Sequence, residues 1–201
     1  ENSGSFKIVE NTANSAHSIF VNPITVVSGS TYTRSVFAKA DGRDVISLFI
    51  NNSNTQVRAF FNLATGTVGT VSSGITAQIE DAKNGWYKCS ITRLSSGVSF
   101  SSLAIELSFA DNVFSYQGDG VSGVYIFGAG LEEGGSASSY IPTVASAVTR
   151  NADVITATPP AGTVKITTTF SNNTTQVLTT IPATFTVPQG LIKQVLMQNS
   201  L

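Results

Sequence analysis

At 201 residues the chain has room for one large β-domain, or for one domain of about 150 residues with an appendage. Hydrophobic residues make up 41% and charged residues only 11%, against a globular average of roughly 25%, so Ser, Thr, Asn and Gly supply most of the polar surface. A net charge of −1, with the 11 Lys and Arg scattered singly, excludes the basic stripe of a nucleic-acid binder, and no apolar run approaches the roughly 18 residues of a membrane span. The chain begins at Glu1 rather than Met and shows no signal peptide, as expected of a piece of a longer or processed protein.

Period-two alternation and β-branched residues recur throughout, without a convincing amphipathic helix. The pattern predicts strands over Phe6–Glu10, Ile24–Val27, Tyr32–Ala40, Val45–Asn51, Val57–Leu63, Thr67–Val71, Ile75–Glu80, Trp86–Arg93, Leu103–Ser108 and Gly123–Leu131. Turn chemistry separates them at Ser28-Gly29-Ser30, Asp41-Gly42, Ala64-Thr65-Gly66, Ser73-Gly74, Asn84-Gly85 and Asp119-Gly120. Asn84-Gly85 is the clearest hairpin signal. Many short strands at this spacing imply an all-β antiparallel sandwich or jelly roll. Thr158-Pro159-Pro160-Ala161-Gly162 then breaks the pattern, dividing a domain over 1–155 from a β-rich segment over 156–201. In that tail strands are expected at Thr163–Phe170, Gln176–Phe185 (interrupted at Pro182) and Leu191–Gln198, with turns at Asn172-Asn173 and Pro188-Gln189-Gly190. Three strands bury little alone, so the tail is expected to pack on the sandwich or on copies of itself.

Alternation also sorts side chains by face. Val57, Ala59, Phe61 and Leu63 form one set of their strand, leaving Arg58, Phe60 and Asn62 on the other. Ile75, Ala77 and Ile79 point inward against Thr76, Gln78 and Glu80, as do Tyr87, Cys89 and Ile91 against Trp86, Lys88, Ser90 and Thr92. Phe37 and Lys39 lie opposite Val36 and Ala38. If these sequential strands are neighbours, Trp86, Phe60, Arg58, Gln78, Lys88 and Phe37 share a polar face bearing aromatic rings. Such a face suits a sugar, whose C–H face packs on a ring while amides and charges satisfy its hydroxyls. The alternative is that these rings cover the sheet beneath a loop or a neighbouring subunit. Cys89, the only cysteine, reads as a buried structural residue, and His17 as a polar loop residue.

Five segments occur in order: YTRSVFAKA (Tyr32–Ala40), FNLATGTVGT (Phe61–Thr70), NGWYKCSIT (Asn84–Thr92), GDGVSGVYIFGAGLEEG (Gly118–Gly134) and SSYIPTVASAVTRNADV (Ser138–Val154). The series resembles the carbohydrate-binding-module-like jelly-roll domains of tailed-bacteriophage fibre, spike and other virion proteins, over roughly residues 1–155. The resemblance implies a jelly-roll β-sandwich on the virion surface that contacts host-cell glycans. It further implies that the tail joins other fibre subunits as a homotrimer. Where such modules carry Gln and Trp in GAQLEEG and YIWGA patterns, this chain has Gly130 and Phe127. The Ser139–Thr143 arm is expected to run back along the sandwich before Val148–Val154 leads into the tail.

No nucleophile elbow, phosphate loop or zinc-ligand spacing is present. Glu132-Glu133 is expected to enter a turn, and Glu106 with Glu80 is the only other candidate carboxylate pair for hydrolysis. A non-enzymatic module without cofactor is therefore expected. Asp119 and Asp111 are candidate ligands for a structural Ca2+, although turn formation is the favoured explanation of both. Two readings stay open: a glycan-binding virion module, or a purely structural one.

Overall fold

The computed structural model describes residues 4–140, 156–170, 174–186 and 192–199, and the chain divides into two units, Glu1–Pro142 and Thr143–Leu201. The first unit contains β1 (Phe6–Val9), β2 (Asn14–Val21), β3 (Ile24–Thr25), β4 (Thr31–Asp41), β5 (Val45–Asn52), β6 (Thr55–Asn62), β7 (Thr67–Val71), β8 (Ile75–Asp81), β9 (Tyr87–Leu94), β10 (Ser99–Ser108), β11 (Ser115–Gln117) and β12 (Gly123–Glu133). A five-stranded sheet runs β1-β12-β4-β9-β8. A larger sheet runs β11-β2-β10-β5-β6-β7, with β3 also on β10. Every strand pair is antiparallel, and the chain passes repeatedly from one sheet to the other. This is a jelly-roll β-sandwich, the fold class that the strand pattern implied.

One apolar cluster fills the space between the sheets. Val36, Ala38, Cys89, Ile91, Val124 and Ile126 enter it from the five-stranded sheet, and Ile46, Leu48, Ile50, Ala59, Phe61, Ile105 and Leu107 from the larger one. Burying each large side chain contributes roughly 1.5–3 kcal/mol, which is why period-two alternation is kept so strictly along β4, β6 and β9. The Asn84-Gly85 turn forms as expected, with φ of +55° and +79° and a hydrogen bond from Trp86 N to Lys83 O. It delivers Trp86 to the start of β9.

Two strands differ from the sequence reading. Asn14–Val21 forms β2 and Ser115–Gln117 forms β11, because pairing with each other and with β10 satisfies backbones whose own residues are largely polar. His17 is consequently not a loop residue. It is buried on β2, its ring 4.8 Å from that of Tyr116.

Tyr116 leads to a buried polar hub. The Glu10 carboxylate accepts bidentate bonds from Arg43 (Nε 2.7 Å, Nη2 2.6 Å), one from Tyr116 Oη at 2.6 Å, and one from Asp119 N at 2.8 Å. Gly118 is needed here because a Cβ would lie 1.9 Å from Asn11 O. The Gly118-Asp119-Gly120 motif is thus a docking element of the fold.

In the second unit β14 (Thr163–Phe170) lies between β15 (Thr175–Leu178) and β17 (Ile192–Asn199), while β13 (Thr156–Ala157) pairs with β16 (Phe185–Thr186). The strand expected over Gln176–Phe185 is therefore two short pieces in different ladders, as Pro182, which cannot donate to a ladder, leads one to expect. The expected turns at Asn172-Asn173 and Pro188-Gln189-Gly190, and the hand-over at Val148–Val154, lie outside the described residues.

Two predictions follow from this packing. Cys89 is fully buried and burial pushes its thiol pKa up, so a thiol reagent should leave the folded chain unmodified. Labelling should track the denaturant unfolding curve, and rapid labelling without denaturant would contradict the packing. Burial opposes ionisation of Glu10, but the donors from Arg43, Tyr116 and Asp119 N outweigh it and hold the carboxyl below its ordinary 4.5. A depressed folded pKa gives stability that is complete above about pH 4.5 and lost as pH falls toward the depressed value. Thermal melts between about pH 7 and pH 3 should show this loss. Glu10→Gln should be about 3 kcal/mol less stable at neutral pH and lose less on acidification.

Candidate functional site

The residues singled out for binding divide between two faces. Alternation within each strand is as read. However, β6 and β7 belong to the larger sheet, and the turn at Ser72–Gly74 carries the chain to β8 and β9 in the five-stranded sheet. Phe60 and Arg58 therefore do not share a face with Trp86, Gln78, Lys88 and Phe37. Sequential strands in a jelly roll need not be neighbours.

Arg58 is half-buried on the outer face of the larger sheet, paired with Glu106 at 3.2 Å, with the Phe114 ring centroid 3.7 Å from its Cζ. Glu106 also accepts from Ser47 Oγ at 2.6 Å. Phe60 is only 1% exposed, beside Ser47 in the β5–β6 register, and offers no surface to a ligand. The Glu80–Glu106 carboxylate pair is likewise split between sheets.

The outer face of the five-stranded sheet carries the other four. Register places Phe127 of β12 beside Phe37 of β4, Phe37 beside Lys88 of β9, and Lys88 beside Glu80 of β8. The next row along is Gly130, Ser35, Ser90 and Gln78. Phe37 and Phe127 stack at 4.5 Å with 10° between planes, and Trp86 meets Phe127 edge-on at 4.9 Å. Tyr140 closes the group at 6.0 Å from Phe127, its side chain half-exposed. Four aromatic side chains thus form one partly exposed patch, with offset and edge-to-face contacts of the kind aromatic pairs favour.

A bulge in β12 makes this arrangement. The β12–β4 register shifts between Phe127 and Gly130, and Gly128 takes φ +60°. A Cβ at Gly128 would stand 3.0 Å from the Tyr140 ring and 3.2 Å from that of Phe37, so the rings close over a position that only glycine fills without strain. A side chain at Gly130 would instead meet open space. The bulge also keeps Glu132 and Glu133 in strand β12 rather than in the expected turn, paired with Thr33 and Tyr32.

The segment after β12 returns across the same face. Gly134 N donates to Thr31 O, and Thr33 Oγ1 donates to Gly134 O while accepting from Thr92 Oγ1. Ser138 N donates to Glu132 Oε1 at 2.7 Å. The Lys88 ammonium donates to Ala137 O at 3.2 Å and Ser138 O at 2.7 Å. The chain thus returns across this face from Gly134 to Tyr140; of the expected Ser139–Thr143 arm, Ile141–Thr143 lie outside the described residues. Phe127, Tyr140, Tyr125 and Lys39 were not among the sequence candidates. For the β12 pair the signal was available, since alternation in Gly123-Val124-Tyr125-Ile126-Phe127 sets Tyr125 and Phe127 opposite Val124 and Ile126.

The two candidate cation ligands are already occupied by protein donors. Asp119 accepts from Val121 N, Ser122 N and Ser122 Oγ, and Asp111 from Thr70 N and Thr70 Oγ1. Ca2+ takes six to eight oxygen ligands, and among the described residues no three His, Cys, Asp or Glu side chains gather to hold a metal. These residues do not fit a calcium site. They cap turns.

No protein-family model and no curated protein matches the chain. Among solved structures, one titled "CBM4 structure and function" is similar at 16% identity and a TM-score of 0.38, covering 65% of this chain and 70% of that one.

The division of the candidates is testable through Phe60. Phe60→Ala should lower stability by about 3–4 kcal/mol in denaturant titration, the cost of emptying a buried aromatic site. A stable Phe60→Ala protein would mean that this ring is not buried.

Proposed function

We propose that the sandwich is a non-catalytic glycan-binding module whose ligand lies on the Trp86–Phe127–Phe37–Tyr140 patch. The observation that carries this reading is a partly exposed aromatic group on a sheet face otherwise lined by hydroxyl, amide and ammonium groups. Pyranose C–H faces pack on such rings, and Gln78, exposed in the neighbouring row, stands to meet sugar hydroxyls. From the resemblance of the five ordered motifs, we place the module in a tail fibre or spike of a phage virion, where it contacts host-surface glycans. The 156–201 segment is proposed to join three copies.

A second reading has its own observation. The arm from Gly134 to Tyr140 is bonded to Lys88 and Glu132, so the patch can serve simply as the seat of that arm in a structural fibre module.

Glycan-array binding by the intact chain separates the two. If the patch binds sugar, Trp86→Ala should weaken binding at least about tenfold, equivalent to ~1.4 kcal/mol, with little change in melting temperature. Trp86→Phe should retain part of the affinity. A blank array together with a lowered melting temperature for Trp86→Ala would instead support the structural module.

A further inference from the structure

The patch has an ammonium that the fold itself does not use. Register on the outer face sets Lys39 of β4 opposite Tyr125 of β12. On its other side stands Trp86, one residue before Tyr87, which pairs with Ala38. The Lys39 stem passes beside the hairpin turn, where a Cβ at Gly85 would lie 3.4 Å from its Cε and 3.8 Å from its Cδ. In the register, Lys39 thus lies between Tyr125, 37% exposed, and Trp86.

Its charged neighbours are committed elsewhere. Lys7, opposite Tyr125 on β1, pairs with Asp41 at 2.6 Å. Glu132 accepts from Ser138 N, and Lys88 donates to the arm carbonyls. Among the described residues no carboxylate lies within ion-pair distance of Lys39. In a chain with so few charges, an ammonium on the aromatic face without an ionic partner marks where a ligand anion is best received.

Resting on the glycan-binding reading above, we propose that the ligand is an acidic saccharide, with a ring packed on Trp86 and its carboxylate on the Lys39 ammonium. A neutral sugar would leave that ammonium to water. An acidic one gains a charge-assisted hydrogen bond to it.

The test uses the full chain on an array of matched oligosaccharides, each uronate-containing sugar beside its carboxyl-reduced, neutral counterpart. The acidic member of at least one pair should bind about tenfold tighter, and added salt should erode that preference. Lys39→Met should bring the acidic-to-neutral ratio to about one. Lys39→Arg should restore the preference, and melting curves of all variants show that they fold. Equal or tighter binding of the neutral members, or a preference unchanged in Lys39→Met, overturns the acidic ligand while leaving the glycan reading intact. An array blank for both members overturns both.

Discussion

The Glu10 carboxylate is the constraint from which the aromatic face is built. Moving a carboxylate out of water costs several kcal/mol, and here four donors from three separate segments offset that cost. Those donors are Arg43 from the β4–β5 connection, Tyr116 from β11, and Asp119 N from the turn into β12. With the Asp119 turn fixed, Asp119 caps the amides of Val121 and Ser122 and β12 begins at Gly123, where a Cβ would lie 1.9 Å from Ile8 O. The register of β12 on β1 and β4 then follows, and it alone decides that Tyr125 and Phe127 face outward. A one-residue slip would send both into the core and turn Val124 and Ile126 out.

The other buried charges show how this low-charge chain is economical with ions. Arg34 points into the sandwich and donates from Nη1 to Phe49 O at 2.7 Å and Ala104 O at 2.8 Å. Desolvation pulls its pKa down to about 10, partly opposed by the charge of Glu106 on the far side of the larger sheet. It remains a cation at neutral pH, joining the two sheets through backbone carbonyls. Arg58 answers Glu106 from outside. In these two places, then, charge serves the fold itself: Arg34 joins the two sheets, and Arg58 with Glu106 braces the outer face of the larger one.

Much of this was legible in the sequence because it is local. The core strands, the Asn84-Gly85 hairpin and the outward sets of β4, β8 and β9 all follow from alternation and turn chemistry, and Trp86, Phe37, Lys88 and Gln78 fall together as read. What alternation cannot carry is the choice of partner strand. Phe60 and Trp86 are both outward residues of their strands, but the crossing at Ser72–Gly74 puts them on opposite sides of the sandwich. The polar β2 was missed for a related reason: Asn14, Ser15, His17 and Ser18 carry no apolar signal, and pairing with β10 and β11 makes them a strand. The bulge at Gly128 was equally invisible, since Gly-Ala-Gly reads as flexible until Tyr140 and Phe37 are seen closing over it.

That bulge ties the arm to the face. Extra length in β12 at Gly128-Ala129 sets Glu132 back on the outer surface, where its carboxylate meets Ser138 N and turns the chain across the sheet. Lys88, bonded to Ala137 O and Ser138 O, holds the return path, and Tyr140 arrives against Phe127. The arm therefore does not lie over an independent site. It supplies one of the four rings, occupies Lys88 and leaves Lys39 at the open side. The patch is completed by the segment that follows β12, so the Glu132–Tyr140 stretch is itself a wall of the aromatic face.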